Sequence, residues 1–153
     1  MANFEPLLQY GKEVGLPHLS FNEHGACSLT FNGKVNVDII YRPEQDQCYF
    51  VSPIGEIPSE NREEFFKQLL IANAFGIENS GAVLGIEEEK NRVILSYTFI
   101  ASTFSFDLFK TVLENFATMA ENWEKKCETL RNLSRMEASS ESSPAATFAY
   151  QRI

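Results

Sequence analysis

The chain has 153 residues, of which 44% are hydrophobic, and 13 Lys and Arg residues stand against 21 Asp and Glu residues. This length suits one domain with a substantial core, and the apolar fraction is too high for a disordered chain. The formal net charge of -8 and the pI of about 4.8 argue against nucleic acid and anionic lipid as partners, because both require clustered Lys and Arg.

The first third of the chain predicts a short helix followed by an antiparallel meander. Apolar residues at helical spacing cover 3–15, and Gly15 and Pro17 end that helix. Asn32-Gly33 predicts a tight hairpin turn, because both residues tolerate positive φ. Residues 19–21 show a short alternation of apolar and polar residues, and longer alternation predicts strands at 26–32, 34–42 and 48–54.

The middle of the chain predicts a second helix and a second hairpin. Ser59 is the expected N-cap, with acidic residues in the first turn, and the helix is expected to run to about Phe75 before Gly76. Alternation then predicts strands at 82–87 and 92–101. The acidic run between them is interpreted as a solvated turn, because no oxygen-ligand loop for a cation surrounds it.

A long third helix precedes a change of composition near the C-terminus. Its apolar stripe predicts one helix across the sheet, and a coiled-coil seam to another chain is the alternative. From Ser134 the sequence is rich in Ser, Ala and Glu, so we expect a domain at 1–133 and a disordered tail at 134–153. The stripe consists of Phe106, Phe109, Leu113, Phe116, Ala120, Trp123, Cys127 and Leu130.

No set of residues in the sequence has the pattern of a catalytic, metal or cofactor site. The two histidines, His18 and His24, flank turns and have no held partner for general-base work. Cys27 and Cys127 fall on apolar faces and Cys48 begins a strand, where thiols behave as small hydrophobes. We therefore expect no enzymatic activity, no metal and no cofactor. With no secretory leader, long apolar span or disulfide framework visible, a cytoplasmic location is expected.

Several apolar residues break the alternation and fall on the outer face of the predicted sheet. Ile40, Val51, Ile94 and Ile100 are the residues concerned. Helices on both faces or a dimer interface would cover them. A hydrophobic patch that receives a partner segment, by groove filling or by strand addition at an edge, is the alternative.

Two segments of the sequence resemble a known family. Residues 16–31, LPHLSFNEHGACSLTF, look like the opening of the class I type III secretion chaperones, the Tir chaperone family. Residues 69–76, LLIANAFG, and 80–86, SGAVLGI, are similar to that family's helix-to-hairpin signature. The resemblance covers about 3–133. It implies an α+β fold of order α-β-β-β-α-β-β-α, with three helices and a twisted antiparallel sheet.

The resemblance also implies a function. Such chaperones are small homodimers of the bacterial cytoplasm without enzymatic activity. They bind the N-terminal chaperone-binding segment of a secreted effector in extended form and keep it soluble and secretion-competent. Contact with the ATPase of the export apparatus is a further expectation. Two other classes stay open on the residues alone: a small-molecule-binding or enzymatic α/β sandwich, and an assembly protein that associates through the 106–130 stripe.

The resemblance assigns expected roles to two groups of apolar residues. The first helix and first hairpin are expected to bind the effector through Phe4, Leu8, Leu29, Phe31, Val37 and Ile39. The second helix and second hairpin are expected to build the dimer through Leu69, Asn73, Phe75, Leu84, Val93 and Leu95. Plain packing in the core is the competing interpretation for each residue, since apolar faces are usually buried.

Overall fold

The structure, a computed structural model, describes residues 3–74 and 80–140, without the side chain of Ser140. It confirms the expected α+β class and element order. In chain order the elements are α1 (Glu5–Glu13), β1 (Ala26–Phe31), β2 (Val35–Arg42), β3 (Gln47–Glu56), α2 (Arg62–Asn73), β4 (Val83–Glu87), β5 (Arg92–Ile100) and α3 (Phe106–Ser140).

The five strands form one antiparallel sheet in the order β1-β2-β3-β5-β4, so β1 and β4 are the edges. The predicted Asn32-Gly33 turn joins β1 to β2. Both residues have positive φ, 52° and 70°, and the Lys34 N–H donates to the Phe31 carbonyl across 3.1 Å. The alternation at 19–21 does not become a strand. Phe21 is instead buried against the ring of Tyr41, with centroids 5.6 Å apart.

The core lies between the inner face of the sheet and α3. Every second residue of β3 is buried, and Phe50 at its centre places its ring 5.7 Å from the rings of both Phe109 and Phe116. Helix α1 packs beside α3, while α2 contacts both α3 and the edge strand β4. One apolar face per strand and one stripe on α3 therefore account for most of the core.

The absence of a side chain at Gly55 in β3 lets α3 approach the sheet closely. The pairing of β3 with β5 shifts between Pro53 and Gly55. A Cβ at Gly55 would lie 2.6 Å from the Sγ of Cys127 and 3.3 Å from its Cβ. Glycine is therefore required at position 55 because α3 approaches so closely. Its backbone conformation does not require glycine, since its φ is not positive.

Helix α3 ends seven residues later than the predicted end of the domain at 133. The apolar stripe is buried from Phe109 to Cys127, and Ser134 continues it because its side chain is also buried. The Ser134 Oγ donates to the Leu130 carbonyl, and the Asn61 Nδ2 donates to the Ser134 carbonyl across 2.9 Å. Composition did not reveal this anchor. The rest of the predicted tail, 141–153, lies outside the described residues.

The predicted N-cap of the second helix was wrong. Helix α2 begins at Arg62 after Asn61, which has left-handed backbone angles and makes no side-chain cap. Ser59 lies two residues before that turn, and the Asn61 amide bonds α3 instead of capping its own helix. The predicted helix end at Phe75 and the stop at Gly76 lie outside the described residues.

Candidate protein-binding surfaces

The expected effector-binding residues lie mainly in the core. Phe4, Leu29, Val37 and Ile39 are buried, the last two with no exposed surface at all, while Leu8 and Phe31 are half-buried. Phe4 packs between Tyr41 and Phe109, with ring centroids 5.2 and 5.4 Å away. These residues hold the first hairpin against α1 and α3. Direct contact between Val37 or Ile39 and a ligand would need this packing to open.

The expected dimer residues also contribute to the core. Leu69, Leu84, Val93 and Leu95 are buried, and Asn73 is half-buried. Phe75 lies outside the described residues. Leu69, Asn73 and Leu84 nevertheless line the wall of a groove that opens to solvent. This part of the predicted set therefore lies beside exposed surface, whereas Val93 and Leu95 face the interior.

Among the residues that the structure describes, the most exposed large apolar side chain lies on α2, next to that groove. Leu70 is 70% exposed and Ile86 44%, whereas Ile71, which is 56% exposed, lies on the side of α2 that faces α3. The α2–β4 groove, as we name it, is an open cavity of about 470 Å³. Its apolar lining residues are Ile57, Phe66, Leu69, Leu70, Leu84 and Ile86. A contiguous apolar patch at this position is typical of a protein-interaction surface.

Sequence reasoning missed the exposed members of this surface. The signal was present, because Phe65, Phe66, Leu69, Leu70 and Ile71 put five large apolar residues within seven positions. A helix that buries one stripe cannot bury all of them. Phe65 and Leu69 face the core, and the other three are left to the surface or to its margin.

Charged residues form the margin of the α2–β4 groove. The Arg62 guanidinium lies 5.5 Å from the centre of the Phe66 ring. Glu88 also lines the groove, and its neighbour in the chain, Glu87, pairs with Arg92 and Lys90. The hydrogen bond from Arg92 holds the pKa of Glu87 below its ordinary value. An apolar centre with a charged margin is the usual arrangement of a protein interface.

The two edges of the sheet differ in their main-chain groups. On β4, the Asn73 side chain bonds Leu84 twice: its Oδ1 accepts from the Leu84 N–H and its Nδ2 donates to the Leu84 carbonyl, both across 2.8 Å. An asparagine carboxamide has the same donor and acceptor as a peptide unit. The outward groups of Leu84 are thus already paired, although β4 has no neighbouring strand on that side.

The β1 edge is paired only at its beginning. Asn22 accepts from the Ala26 N–H through its Oδ1 and donates its own N–H to the Ala26 carbonyl. Because the Tyr41 N–H donates to the Gly25 carbonyl, alternation along the antiparallel ladder turns the main-chain groups of Ser28 and Thr30 outward. Within 3–74 and 80–140, nothing pairs with those four groups. They form an open template for another strand.

The outer face of the sheet carries the apolar residues that broke the alternation. Ile40, Val51 and Ile94 are half-buried among their cross-strand neighbours, and Ile100 is 56% exposed. No helix among the described residues packs on this side. Within 3–74 and 80–140, therefore, no helix covers these residues, and a dimer interface and a partner segment remain as the other predicted explanations.

The titratable residues that could have supported catalysis are separated or buried. Desolvation raises the pKa of Cys48 to about 12 and that of Cys127 to about 11, and it also raises the pKa of Cys27. A thiol with a raised pKa is a poor nucleophile. His24 is exposed beside Glu23. The residues that the structure describes contain no group of three or more metal-ligating side chains, and none of their helices is long and apolar enough to span a membrane.

An apolar groove, an open sheet edge and this α+β fold together define a protein-binding module. Residues 7–124, 118 of the 153, match the model of the Tir chaperone protein (CesT) family. The chain belongs to that family and is a type III secretion chaperone. Its members act by binding other proteins, and nothing supports the enzymatic alternative.

Two known sequences are similar to most of this chain. The transcriptional anti-antiactivator ExsC of Pseudomonas aeruginosa is 26% identical over 119 residues, which cover 78% of this chain and 81% of ExsC. A protein of Chlamydia pneumoniae is 33% identical over 105 residues, which cover 69% of this chain and 79% of that protein.

Solved structures share the fold at lower identity. ExsC in the ExsC–ExsE complex matches with a TM-score of 0.68 and 24% identity, over 78% of this chain and 89% of that one. A chain of the ExoU–SpcU complex from the type III secretion system of Pseudomonas aeruginosa matches with a TM-score of 0.61 and 16% identity, over 84% and 97%. These likenesses establish the fold of the chain.

Proposed function

We propose that this chain is a cytoplasmic chaperone that binds the N-terminal segment of one or more secreted effectors in extended form. The observation that carries the proposal is the open β1 edge, at Ser28 and Thr30, within a fold of the secretion-chaperone family. Unpaired main-chain groups bind an extended segment of almost any sequence, and side-chain pockets then select among segments. Relatives of the same fold were solved as complexes with effectors, HopA1–SchA among them, which supports the same class of partner.

The cargo surface we propose is the β1 edge together with the exposed margins of the first hairpin and of α1. Leu8 and Phe31 are the expected effector-binding residues with exposed area, and they are proposed to contact cargo directly. The buried four, Phe4, Leu29, Val37 and Ile39, are proposed to support the edge from beneath. Truncating one of them would then weaken cargo binding only as far as it loosens the hairpin.

We propose further that the chaperone is a homodimer through the α2–β4 groove. Leu70 and Ile86 would lose their exposure there, while Leu69, Asn73 and Leu84 would form the floor of the interface. A C2 axis puts the same patch on both subunits, so one apolar surface serves both sides. Phe75 keeps its proposed role in the dimer. Val93 and Leu95 are proposed to support the dimer interface from the core.

The charge of the chain supports a choice of cargo. Residues 1–104 carry 14 acidic against 7 basic residues, so the surrounding potential is negative. A negative potential favours the approach of basic segments and opposes aggregation of a protein with exposed apolar surface. The ATPase of the export apparatus is the proposed recipient of the loaded complex.

Co-expression with the N-terminal segment of a cognate effector tests the cargo site. The variant Ser28→Pro removes one outward N–H, and the β1–β2 ladder does not use that group. Ser28→Ala is the matched control, because it keeps the N–H and removes the same hydroxyl. We expect the proline variant to lose at least about tenfold in affinity and the alanine variant to retain it. Equal cargo affinity of the two variants would contradict binding of the effector segment at the β1 edge.

Light scattering tests the dimer separately from the cargo. Leu70→Asp puts a charge at the centre of the proposed interface, and Ile100→Asp puts one on the outer face of the sheet at an exposed position. We expect the first variant to be monomeric at micromolar concentration and the second to remain dimeric. A dimeric Leu70→Asp variant would direct attention to another surface.

The name of ExsC favours a second candidate function, the control of transcription through binding to a regulator. Such a role would use the same surfaces with a different partner. Affinity capture from the native cell separates the two functions, because a chaperone retains secreted effectors whereas a regulator of this kind retains a transcriptional factor. Recovery of both would assign both.

A further inference from the structure

The Asn73 side chain occupies the place of a missing strand beside β4. Its two hydrogen bonds to Leu84, each 2.8 Å, use the donor and the acceptor that β4 turns away from β5. Leu84 lies at the second position of a five-residue strand. In β4 the main-chain groups of Leu84 and Ile86 point away from β5. Since those of Leu84 are paired, only Ile86 keeps unpaired outward groups before the turn at Glu88–Lys90.

The opposite edge lacks such a device at its centre. Asn22 pairs with Ala26, the first residue of β1, and leaves the outward groups of Ser28 and Thr30 in succession. Two successive outward residues offer four main-chain hydrogen bonds to an incoming strand, whereas β4 offers only the two of Ile86. The sheet therefore has one open edge and one closed edge.

We propose that the Asn73 carboxamide acts as a strand substitute that closes the β4 edge to extended peptides, so that strand addition occurs at β1 alone. The part concerning β1 rests on the proposed function, whereas the closure of β4 does not. Edge strands are commonly protected against pairing by charges, prolines or coverage. A side-chain amide from a neighbouring helix does so here and also fixes the end of α2 to the sheet.

The position of Asn73 accounts for why an asparagine is needed. Asn73 is the last residue of α2, directly above β4, and its side chain is half-buried. Aspartate would present an acceptor to the Leu84 carbonyl, and leucine would leave both Leu84 groups unpaired under an apolar cover. Only a planar amide of this length satisfies the donor and the acceptor together.

Amide hydrogen exchange by NMR tests the closure, with the unaltered chain and every variant measured in the Leu70→Asp background so that no second subunit covers β4. In Asn73→Ala the Leu84 amide loses its acceptor, and we expect it to exchange at least about tenfold faster than in the unaltered chain. Gln68→Ala is the matched control on the same helix, because Gln68 bonds only Glu64. It should leave the Leu84 amide unchanged. Asn73→Asp retains the acceptor for the Leu84 amide and loses the donor, so the Leu84 amide should exchange at an intermediate rate. This variant replaces Asn73→Ala in the test if the alanine variant does not fold.

A basic peptide of alternating Val and Thr then reports which edge accepts a strand. In the unaltered chain we expect its addition to shift the amides of Ser28 and Thr30 and not that of Leu84. In Asn73→Ala the amides of Leu84 and Ile86 should shift as well. Shifts at Leu84 in the unaltered chain, or an unchanged Leu84 in every folded Asn73 variant, would overturn the closure. Shifts at β4 alone in Asn73→Ala would uphold the closure and refute the cargo edge at β1.

Discussion

The contact between Gly55 and Cys127 gives a quantitative test of how α3 is seated on the sheet. Replacing Gly55 with alanine adds one methyl group at a point where its Cβ would lie 2.6 Å from the Cys127 Sγ. Both neighbours are held firmly, because Cys127 is fully buried on α3 and Gly55 lies in the central strand β3. The helix or the strand must therefore shift.

The expected cost follows from two opposing effects. Overpacking of a buried site typically costs about 1–3 kcal/mol. Replacing glycine within a strand recovers about 0.5–1 kcal/mol of backbone entropy. We therefore expect Gly55→Ala to lower the free energy of unfolding by about 1 kcal/mol, within the range of about 0–2.5 kcal/mol that these two effects allow. Gly85→Ala is the matched control, because its Cβ would meet Ile94 at an ordinary 3.7 Å, and it should be neutral or slightly stabilising.

Urea unfolding followed by circular dichroism measures these differences, at one protein concentration because dimer stability depends on it. A double-mutant cycle with Cys127→Ala then assigns the cause. Without the Sγ, the nearest atom is the Cβ at 3.3 Å, so the cost of Gly55→Ala should fall by about 1 kcal/mol or more. A coupling energy near zero, or equal midpoints for Gly55→Ala and Gly85→Ala, would refute the close approach of α3.

Three further measurements test other parts of the structure. The three buried thiols should resist a thiol reagent at pH 8 in the folded protein and all react in urea, and a thiol that reacts at once in the folded protein would contradict their burial. Glu87 has a lowered pKa, so its pairing with Arg92 stabilises the fold above the ordinary value of 4.5 and is lost as the pH falls through the lowered value. Between pH 7 and pH 3, the melting temperature of Glu87→Gln should therefore fall less than that of the unaltered chain. Equal decreases in melting temperature would contradict stabilisation by the Glu87–Arg92 pair. Asn61→Ala should lower the free energy of unfolding in urea by about 2 kcal/mol and Asn61→Gly by about 1 kcal/mol. Both variants lose the bond to Ser134, but only glycine accepts the positive φ without strain. Equal unfolding midpoints for the two variants would contradict strain at this turn.

Much of the fold could be predicted because its signals are local. Alternation located the long strands, and the positive-φ turn at Asn32-Gly33 followed from residue type alone. The stripe on α3 also followed from spacing. The start of α2 could not be predicted in this way, because the Asn61 amide is used by Ser134, 73 residues away. A local preference for Ser59 as N-cap could not outweigh that contact.

The candidate surfaces were harder to predict than the fold. Periodicity identifies apolar faces, but it does not say which of them a sheet will cover, so Val37 and Ile39 were assigned to a binding surface although they are fully buried. On α2, Leu69 and Leu70 are adjacent in sequence, yet one is buried and the other 70% exposed. That distinction depends on the direction from which β4 and α3 approach the helix, and no local pattern carries it.

The strand order has a consequence for synthesis on the ribosome. Strand β5 lies between β3 and β4, so one side of β3 has no partner until β5 has been made. About 36 residues separate the end of β3 at Glu56 from the start of β5 at Arg92, which is roughly 2–7 s of translation at 5–20 residues per second. During that interval the nascent chain carries an apolar central strand that is paired with β2 on one side and open on the other. A protein that protects the unfolded segments of others is thus itself exposed to misassociation while it is being made.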